Sequence, residues 1–228
     1  MSSAPATYED IVDGVVATLH QKGALATAAP APWGAFLRMS NLVHEQFEIP
    51  STTITPIMRR VLFGLGCAAR AANVVGVGTF VGYALAWLVR DRDDPSSAPF
   101  AETAYAIEID AEANRVARRN CALLNHGPRL SFADADGTVP ASYPVWPIDL
   151  LYLDLDDAHE RKAGYVHALE AAGDRLRSGA LVLAHDPCVP QFAESFAAYH
   201  EYVRTSDRLC GPWILPVDEC GLSVASAV

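Results

Sequence analysis

The stretch Asn73-Val-Val-Gly-Val-Gly-Thr-Phe-Val-Gly-Tyr83, followed by Ala-Leu-Ala-Trp-Leu-Val, decides the fold. Its pattern predicts a buried β-strand that enters a glycine-rich turn and continues into a helix. Further along, Ala104-Tyr-Ala-Ile-Glu-Ile-Asp110 predicts a second strand that ends in carboxylates. A strand, a glycine turn, a helix and an acid at the tip of the next strand are typical of nucleoside-binding sites. The glycines let backbone N–H groups approach a ligand, and the acid accepts hydrogen bonds from ribose hydroxyls.

Apolar segments alternate with helical patterns from this stretch onward. We predict strands at 73–78, 103–109, 129–134, 148–154 and 180–185, and helices at 82–91, 111–123, 158–177 and 190–205. Segments 213–217 and 221–225 flank a turn and predict a β-hairpin that closes the sheet. The chain is therefore predicted to have an α/β fold with a doubly wound, mostly parallel, seven-stranded sheet. Helical periodicity over 8–27 and 33–47 predicts a helical extension before it.

The composition of the chain limits the binding partners and the cellular compartment that we expect for it. The 228-residue chain carries a net charge of −10, which disfavours nucleic acid and anionic membranes because phosphate groups need basic surfaces. The sequence shows no targeting signal and no segment with the length of a membrane span, so we expect a cytoplasmic protein. Its five cysteines include no Cys-x-x-Cys pair, and neither a structural zinc nor a disulfide framework is expected. Lysine is nearly absent, with only Lys22 and Lys162.

The glycine spacing separates the nucleoside-binding families. Gly76, Gly78 and Gly82 are spaced one residue too widely for the Gly-x-Gly-x-x-Gly of dinucleotide folds, which disfavours a nicotinamide-dependent oxidoreductase. The Gly-Lys-[Ser/Thr] of a P-loop is missing as well. The segment Val-Gly78-Thr-Phe-Val-Gly82-Tyr83 instead resembles the glycine loop of S-adenosylmethionine (SAM)-dependent O-methyltransferases of the catechol and caffeoyl-CoA type.

The resemblance continues in order over about residues 50–228. The segments that carry it are Ala106–Asp110 (ribose-binding strand), Phe132–Ala135 (adenine side), Ile148–Asp154 (fourth strand), Leu176–Asp186 (the strand before the last helix) and Ile214–Val224 (closing hairpin). The resemblance implies SAM as cofactor. It implies cofactor-binding roles for Gly76, Gly78, Thr79, Gly82, Tyr83, Glu108, Asp134, Ala135 and Asp154. It divides the chain into a helical extension over 1–50, expected to cover the mouth of the site as a lid, and a Rossmann-like methyltransferase domain over 51–228.

Two positions differ from the family in the groups they offer to cofactor and substrate. Gly76 stands where the family has a glutamate that helps to hold the cofactor. Loss of that charge-assisted hydrogen bond would weaken cofactor binding by about 1.5–3 kcal/mol. Asp157 stands where the metal-dependent family has a lysine base. Crowding with neighbouring aspartates is expected to raise some carboxyl pKa values there. Lys162 is too far along the predicted helix to replace that lysine, so His159 is the better candidate base, because histidine side chains in general titrate near neutral pH.

A third difference concerns a possible metal site. Ala-His185-Asp186 stands where the catechol type has Ala-Asp-Asn. Together with Asp154 and His159 it is more similar to metal-dependent sugar and natural-product O-methyltransferases. That resemblance implies a Mg²⁺ site at Asp154, His185 and Asp186, because Mg²⁺ binds through one or two carboxylates and water.

Two functions remain open from the sequence. The first is methyl transfer from SAM to an oxygen, less readily a nitrogen, of a small natural-product-like acceptor, with Asp154 and either His159 or Asp157 as catalytic residues. The second is a methyltransferase fold that no longer methylates, and instead catalyses an elimination or cyclisation or serves as a subunit of a heteromeric enzyme. The three differences from the family motivate this alternative. By analogy with relatives we expect a homodimer, with a heteromer as the alternative.

Overall fold

The fold is described by a computed structural model. It describes residues 6–51, 53–89, 101–124, 129–157 and 159–228. The end of the helix predicted at 82–91 lies outside these residues, as does residue 158, where another helix was predicted to begin.

The chain begins with three helices. They are α1 (Tyr8–Gln21), α2 (Trp33–Gln46) and α3 (Pro56–Ala69). Helix α1 starts with a reciprocal cap, in which Thr7 Oγ1 accepts a hydrogen bond from Asp10 N and the Asp10 carboxylate accepts one from Thr7 N. Helix α3 starts at Thr55, whose hydroxyl accepts a hydrogen bond from Met58 N. The cap at Thr7 places the start of α1 where the sequence pattern predicts it.

The remaining elements form one seven-stranded sheet with helices between its parallel strands. The strands are β1 (Asn73–Val77), β2 (Thr103–Glu108), β3 (Leu130–Asp134), β4 (Ile148–Leu153), β5 (Leu176–His185), β6 (Leu209–Leu215) and β7 (Leu222–Ala227). Their order is β3-β2-β1-β4-β5-β7-β6, with the first five parallel and the β6–β7 hairpin antiparallel. The predicted fold class, including the closing hairpin and the N-terminal helices, is confirmed.

Two apolar cores cover the two faces of the sheet. The helices between strands are α4 (Tyr83–Val89), α5 (Ala111–Cys121), α6 (Gly164–Ala172) and α7 (Ala193–Thr205). Val74 points into a core shared with α1 to α5, whereas Val75 and Val77 point into a core shared with α6 and α7, as the alternation of a strand requires. No helix in the described parts of the chain is both long and apolar enough to cross a membrane.

Candidate active site

A cavity of about 840 Å³ opens beside the carboxyl ends of β1, β2, β4 and β5. Ligands of open α/β sheets bind at this edge. Thr53 and Ile54 contribute to its wall, but no residue of 6–51 does. The extension therefore makes no contribution to the described lining, and its role as a lid stays a prediction.

The glycine turn after β1 permits a close approach between two strand tips. Gly78 has φ +72°, and a Cβ atom there would lie 2.5 Å from Leu155 N and 2.7 Å from Asp154 O. Only glycine combines this left-handed backbone with so little space. Its N–H donates to Ile107 O at 2.9 Å, which fixes the turn against β2. Gly78 lines the cavity, and its role in cofactor binding stays a prediction.

The other predicted residues of the glycine loop lie behind the cavity wall. Thr79 is buried and its hydroxyl has no hydrogen-bond partner among the described residues. Gly82 precedes α4, and the hydroxyl of buried Tyr83 accepts a hydrogen bond from Arg59 at 3.3 Å. Gly76 lies within β1, where a Cβ atom would be 2.7 Å from the Thr79 methyl group. A glutamate at position 76 would therefore clash with Thr79 unless the loop moved.

Glu108 is the acid at the tip of β2 and faces the cavity. It is 8% exposed. Its Oε2 accepts a hydrogen bond from Phe80 N at 2.7 Å and its Oε1 accepts one from Asp110 N at 2.9 Å. Each oxygen of an ionised carboxylate has a second lone pair, so Glu108 can still accept hydrogen bonds from two hydroxyl groups. The geometry is suited to a ribose.

The acid that follows β3 in the cavity wall is Asp136. Ala135 and Asp136 line the cavity, whereas the predicted Asp134 does not. The Asp134 carboxylate accepts hydrogen bonds from Asn114 at 2.6 Å and from Arg118 at 3.3 Å, both on α5. This geometry does not favour a cofactor contact by Asp134.

Four polar side chains meet at the tips of β4 and β5, and we call Asp154, Lys162, His185 and Asp186 the Lys162 cluster. The Lys162 ammonium lies 3.2 Å from Asp154 Oδ1 and 2.9 Å from Asp186 Oδ2. His185 Nδ1 lies 3.4 Å from Asp154 Oδ2 and 3.1 Å from Asp186 Oδ1. All four residues line the cavity. The predicted Asp154, His185 and Asp186 therefore come together, with Lys162 among them.

The protonation of the cluster follows from burial and charge. Burial lowers the pKa of Lys162, but the Asp154 and Asp186 carboxylates outweigh it and hold that pKa above its ordinary value. Burial raises the pKa of Asp154, but His185 and Lys162 outweigh it in turn. Lys162 is thus a protonated cation, and it is a poor general base at neutral pH.

Lys162 reaches the cluster because the chain turns back before α6. The helix predicted from residue 158 begins only at Gly164, and Asp157 and Arg161 instead pair through two backbone hydrogen bonds of 3.3 and 3.0 Å. The expectation that Lys162 lies too far along a helix is therefore wrong. The signal in the sequence is Asp156-Asp157, since aspartates favour turns by bonding to nearby backbone N–H groups.

Of the two predicted bases, Asp157 lines the cavity and His159 does not. Asp157 Oδ1 accepts hydrogen bonds from the N–H groups of His159 and Glu160, each at 2.8 Å. These bonds lower the pKa of Asp157, so the expected rise of some carboxyl pKa values by crowding does not occur at this residue. His159 is exposed and does not line the cavity. Catalysis by either residue stays a prediction.

The predicted ligands do not fit Mg²⁺ as they stand. Mg²⁺ needs carboxylate oxygens at about 2.1 Å, and both carboxylates already face Lys162 and His185 nitrogens. Cys220 offers a third ligand beside His185 and Asp186, with ligand atoms within 4.8 Å of one another. Burial and the nearby Asp186 raise the pKa of the Cys220 thiol to about 12, which opposes the thiolate that metals bind.

Comparison with known proteins identifies the fold. No protein-family model and no curated protein matches the sequence. The SAH-bound methyltransferase PaMTH1 of Podospora anserina matches with a TM-score of 0.64 and 13% identity, over 100% of both chains. An O-methyltransferase from Bacillus cereus in complex with SAH matches with a TM-score of 0.60 and 15% identity, over 94% of this chain and 97% of that one. TomG of Streptomyces achromogenes is an O-methyltransferase involved in tomaymycin synthesis and was solved with SAM. It matches with a TM-score of 0.61 and 18% identity, over 85% of this chain and 89% of that one.

These three matches cover between 85% and 100% of this chain. The chain has the fold of SAM-dependent O-methyltransferases, so the resemblance seen in the sequence is confirmed at the level of the fold. At identities below one fifth it says nothing of the acceptor.

Proposed function

We propose that this chain is a SAM-dependent methyltransferase that modifies an oxygen of a small-molecule acceptor. The observation that carries the proposal is the buried Glu108 carboxylate beside the Gly78 turn, in the wall of a large cavity. An acid at the tip of the second strand and a glycine turn after the first are the two groups that a nucleoside needs in this fold. Solved proteins of the same fold hold SAM or SAH.

The residues of the cavity divide the work of binding. Glu108 would accept hydrogen bonds from the ribose hydroxyls of the cofactor. The segment from Ala135 to Thr138 would lie beside its adenine ring. The cofactor, when bound, supplies a methyl group on a positively charged sulfur. Phe80 and Ile109, which are exposed apolar side chains of the wall, would exclude water when the site is filled. Positioning of the acceptor is then the main contribution of the protein.

The test is a calorimetric titration of the full chain with SAH. We expect binding by the unaltered protein, and about tenfold to hundredfold weaker binding by Glu108→Gln, because a charge-assisted hydrogen bond contributes about 1.5–3 kcal/mol. Glu112→Gln is the matched control, since Glu112 is an exposed acid on α5 that pairs with Arg115. The melting temperature of each variant shows whether it is folded.

Two results would count against the proposal. If the unaltered chain does not bind SAH at high concentration, the fold has lost its cofactor, and the non-methylating alternative becomes the better reading. If Glu108→Gln and Glu112→Gln bind SAH equally well, the cofactor lies elsewhere in the cavity.

A further inference from the structure

The cavity contains a positive charge that belongs to the chain itself. We propose that the Lys162 ammonium takes the place of a divalent metal ion, so that this site positions its acceptor and transfers the methyl group without a metal. The inference rests on the proposed function for its chemistry, and on the Lys162 cluster alone for its structure. It gives Lys162 a role in the reaction that the sequence pattern does not indicate.

The first support is the occupation of the carboxylates. Lys162 Nζ faces Asp154 Oδ1 and Asp186 Oδ2, and His185 Nδ1 faces the other oxygen of each carboxylate. Every carboxylate oxygen of the pair therefore has a nitrogen of the protein beside it. A Mg²⁺ ion bound to the same oxygens would lie within about 5 Å of the ammonium, where two positive charges repel each other strongly.

The second support is the confinement of the lysine side chain. Lys162 is 2% exposed, although lysine is among the residues that proteins bury least often. Its Nζ lies 5.1 Å from the ring centre of Phe192 and 5.2 Å from that of Tyr165, within the range of cation–π attraction. The turn that pairs Asp157 with Arg161 delivers it from one side. The ammonium is thus held at the strand tips.

The third support is the chemistry that remains available. An ammonium group has three N–H donors, and the two carboxylates use two of them. Since Lys162 lines the cavity, one donor is left for an acceptor oxygen. In a transfer, that oxygen would attack the methyl carbon, the O–C bond would form, the S–C bond would break with its electron pair on sulfur, and the hydroxyl proton would be released to bulk solvent. A fixed cation stabilises the negative charge that gathers on the oxygen, as a metal does elsewhere.

The deciding experiment measures metal binding directly. Chelator-treated full chain is titrated with Mn²⁺, and free Mn²⁺ is followed by electron paramagnetic resonance. We expect no saturable site in the unaltered protein below about millimolar Mn²⁺. Lys162→Met keeps the length of the side chain and removes its charge, and it should bind Mn²⁺ at least about tenfold more tightly because two carboxylates are released. Lys22→Met, at the exposed end of α1, should behave as the unaltered chain does.

The titration separates this inference from the proposed function, because it needs neither cofactor nor turnover. One saturable Mn²⁺ site in the unaltered chain that is weakened by Asp154→Asn would overturn the inference. So would a folded Lys162→Met variant without a gain in affinity. If Lys162→Met does not fold, the unaltered chain and Asp154→Asn decide the matter by themselves. Failure to bind SAH would refute the proposed function and leave the Mn²⁺ result as it is.

Discussion

Among single residues, Gly78 is the one on which the geometry of the cavity depends most directly. Its backbone passes so close to Asp154 and Leu155 that the tips of β1 and β4 touch. Because Asp154 also binds Lys162, a shift at Gly78 would move the cluster as well as the turn. One glycine thus connects the turn after β1 to the Lys162 cluster.

Replacing Gly78 by alanine should destabilise the protein by about 2–5 kcal/mol, since the new Cβ atom adds both left-handed strain and overpacking. Urea denaturation measures the change. Gly14→Ala is the control, because Gly14 lies in α1 with no atom within 4 Å of the added carbon. It should be neutral or stabilising by up to about 1 kcal/mol. Equal stabilities of the two variants would show that the turn has room to relax.

Among the secondary-structure elements, α5 makes a polar connection between the glycine loop and the N-terminal part of the chain. The side chain of buried Asn120 donates hydrogen bonds to Glu48 O at 3.1 Å and Val81 O at 3.0 Å, and accepts one from Glu48 N at 2.9 Å. A single amide therefore satisfies three backbone groups of two separate loops. It holds the segment after α2 against the glycine loop.

The Asn120→Ala variant should lose about 2–4 kcal/mol of unfolding free energy, because backbone groups lose their partners in a buried place. Hydrogen exchange at the amide of Glu48 should become faster, and mass spectrometry of the peptide around it reports this. Asn41→Ala, on an exposed part of α2, should change neither quantity. Unchanged exchange at Glu48 in Asn120→Ala would mean that the loop is held by other contacts.

The chain as a whole is built around a core that includes the predicted extension. Phe36 of α2 lies with its ring centre 5.3 Å from that of Phe63 on α3 and 5.1 Å from that of Trp87 on α4. All three rings are fully buried in the core that covers one face of the sheet. Helices α1 and α2 thus share their apolar interior with the sheet, and a division near residue 50 marks no gap in packing.

Unfolding should therefore be a single transition. Far-UV circular dichroism and tryptophan fluorescence in urea should give coincident curves. Phe36→Ala should move both curves together and cost about 3–5 kcal/mol, as expected for removal of a buried aromatic ring. The neighbouring Leu37→Ala, which alters an exposed side chain, is the control. Two separate transitions would show that the extension unfolds independently.

The parts of this structure that sequence could predict are those set by local patterns. Gly78 and Glu108 follow from a strand, a turn and a second strand, whose spacing leaves little freedom. Lys162 does not, because its position depends on a tight turn and on charges that are distant in sequence. Local patterns also do not show that Asp136, and not Asp134, lines the cavity. Asp134 is held away from it by hydrogen bonds from Asn114 and Arg118 of α5, which are distant in sequence.

Because Lys162 supplies the positive charge of the site, that charge does not depend on the metal ions in solution. A bound ion exchanges with solution, so its occupancy follows supply and competes with every chelator present. The ammonium at the tips of β4 and β5 is covalently attached and paired with two carboxylates. Each folded molecule therefore carries this charge once from synthesis onward, whatever the ion concentrations around it.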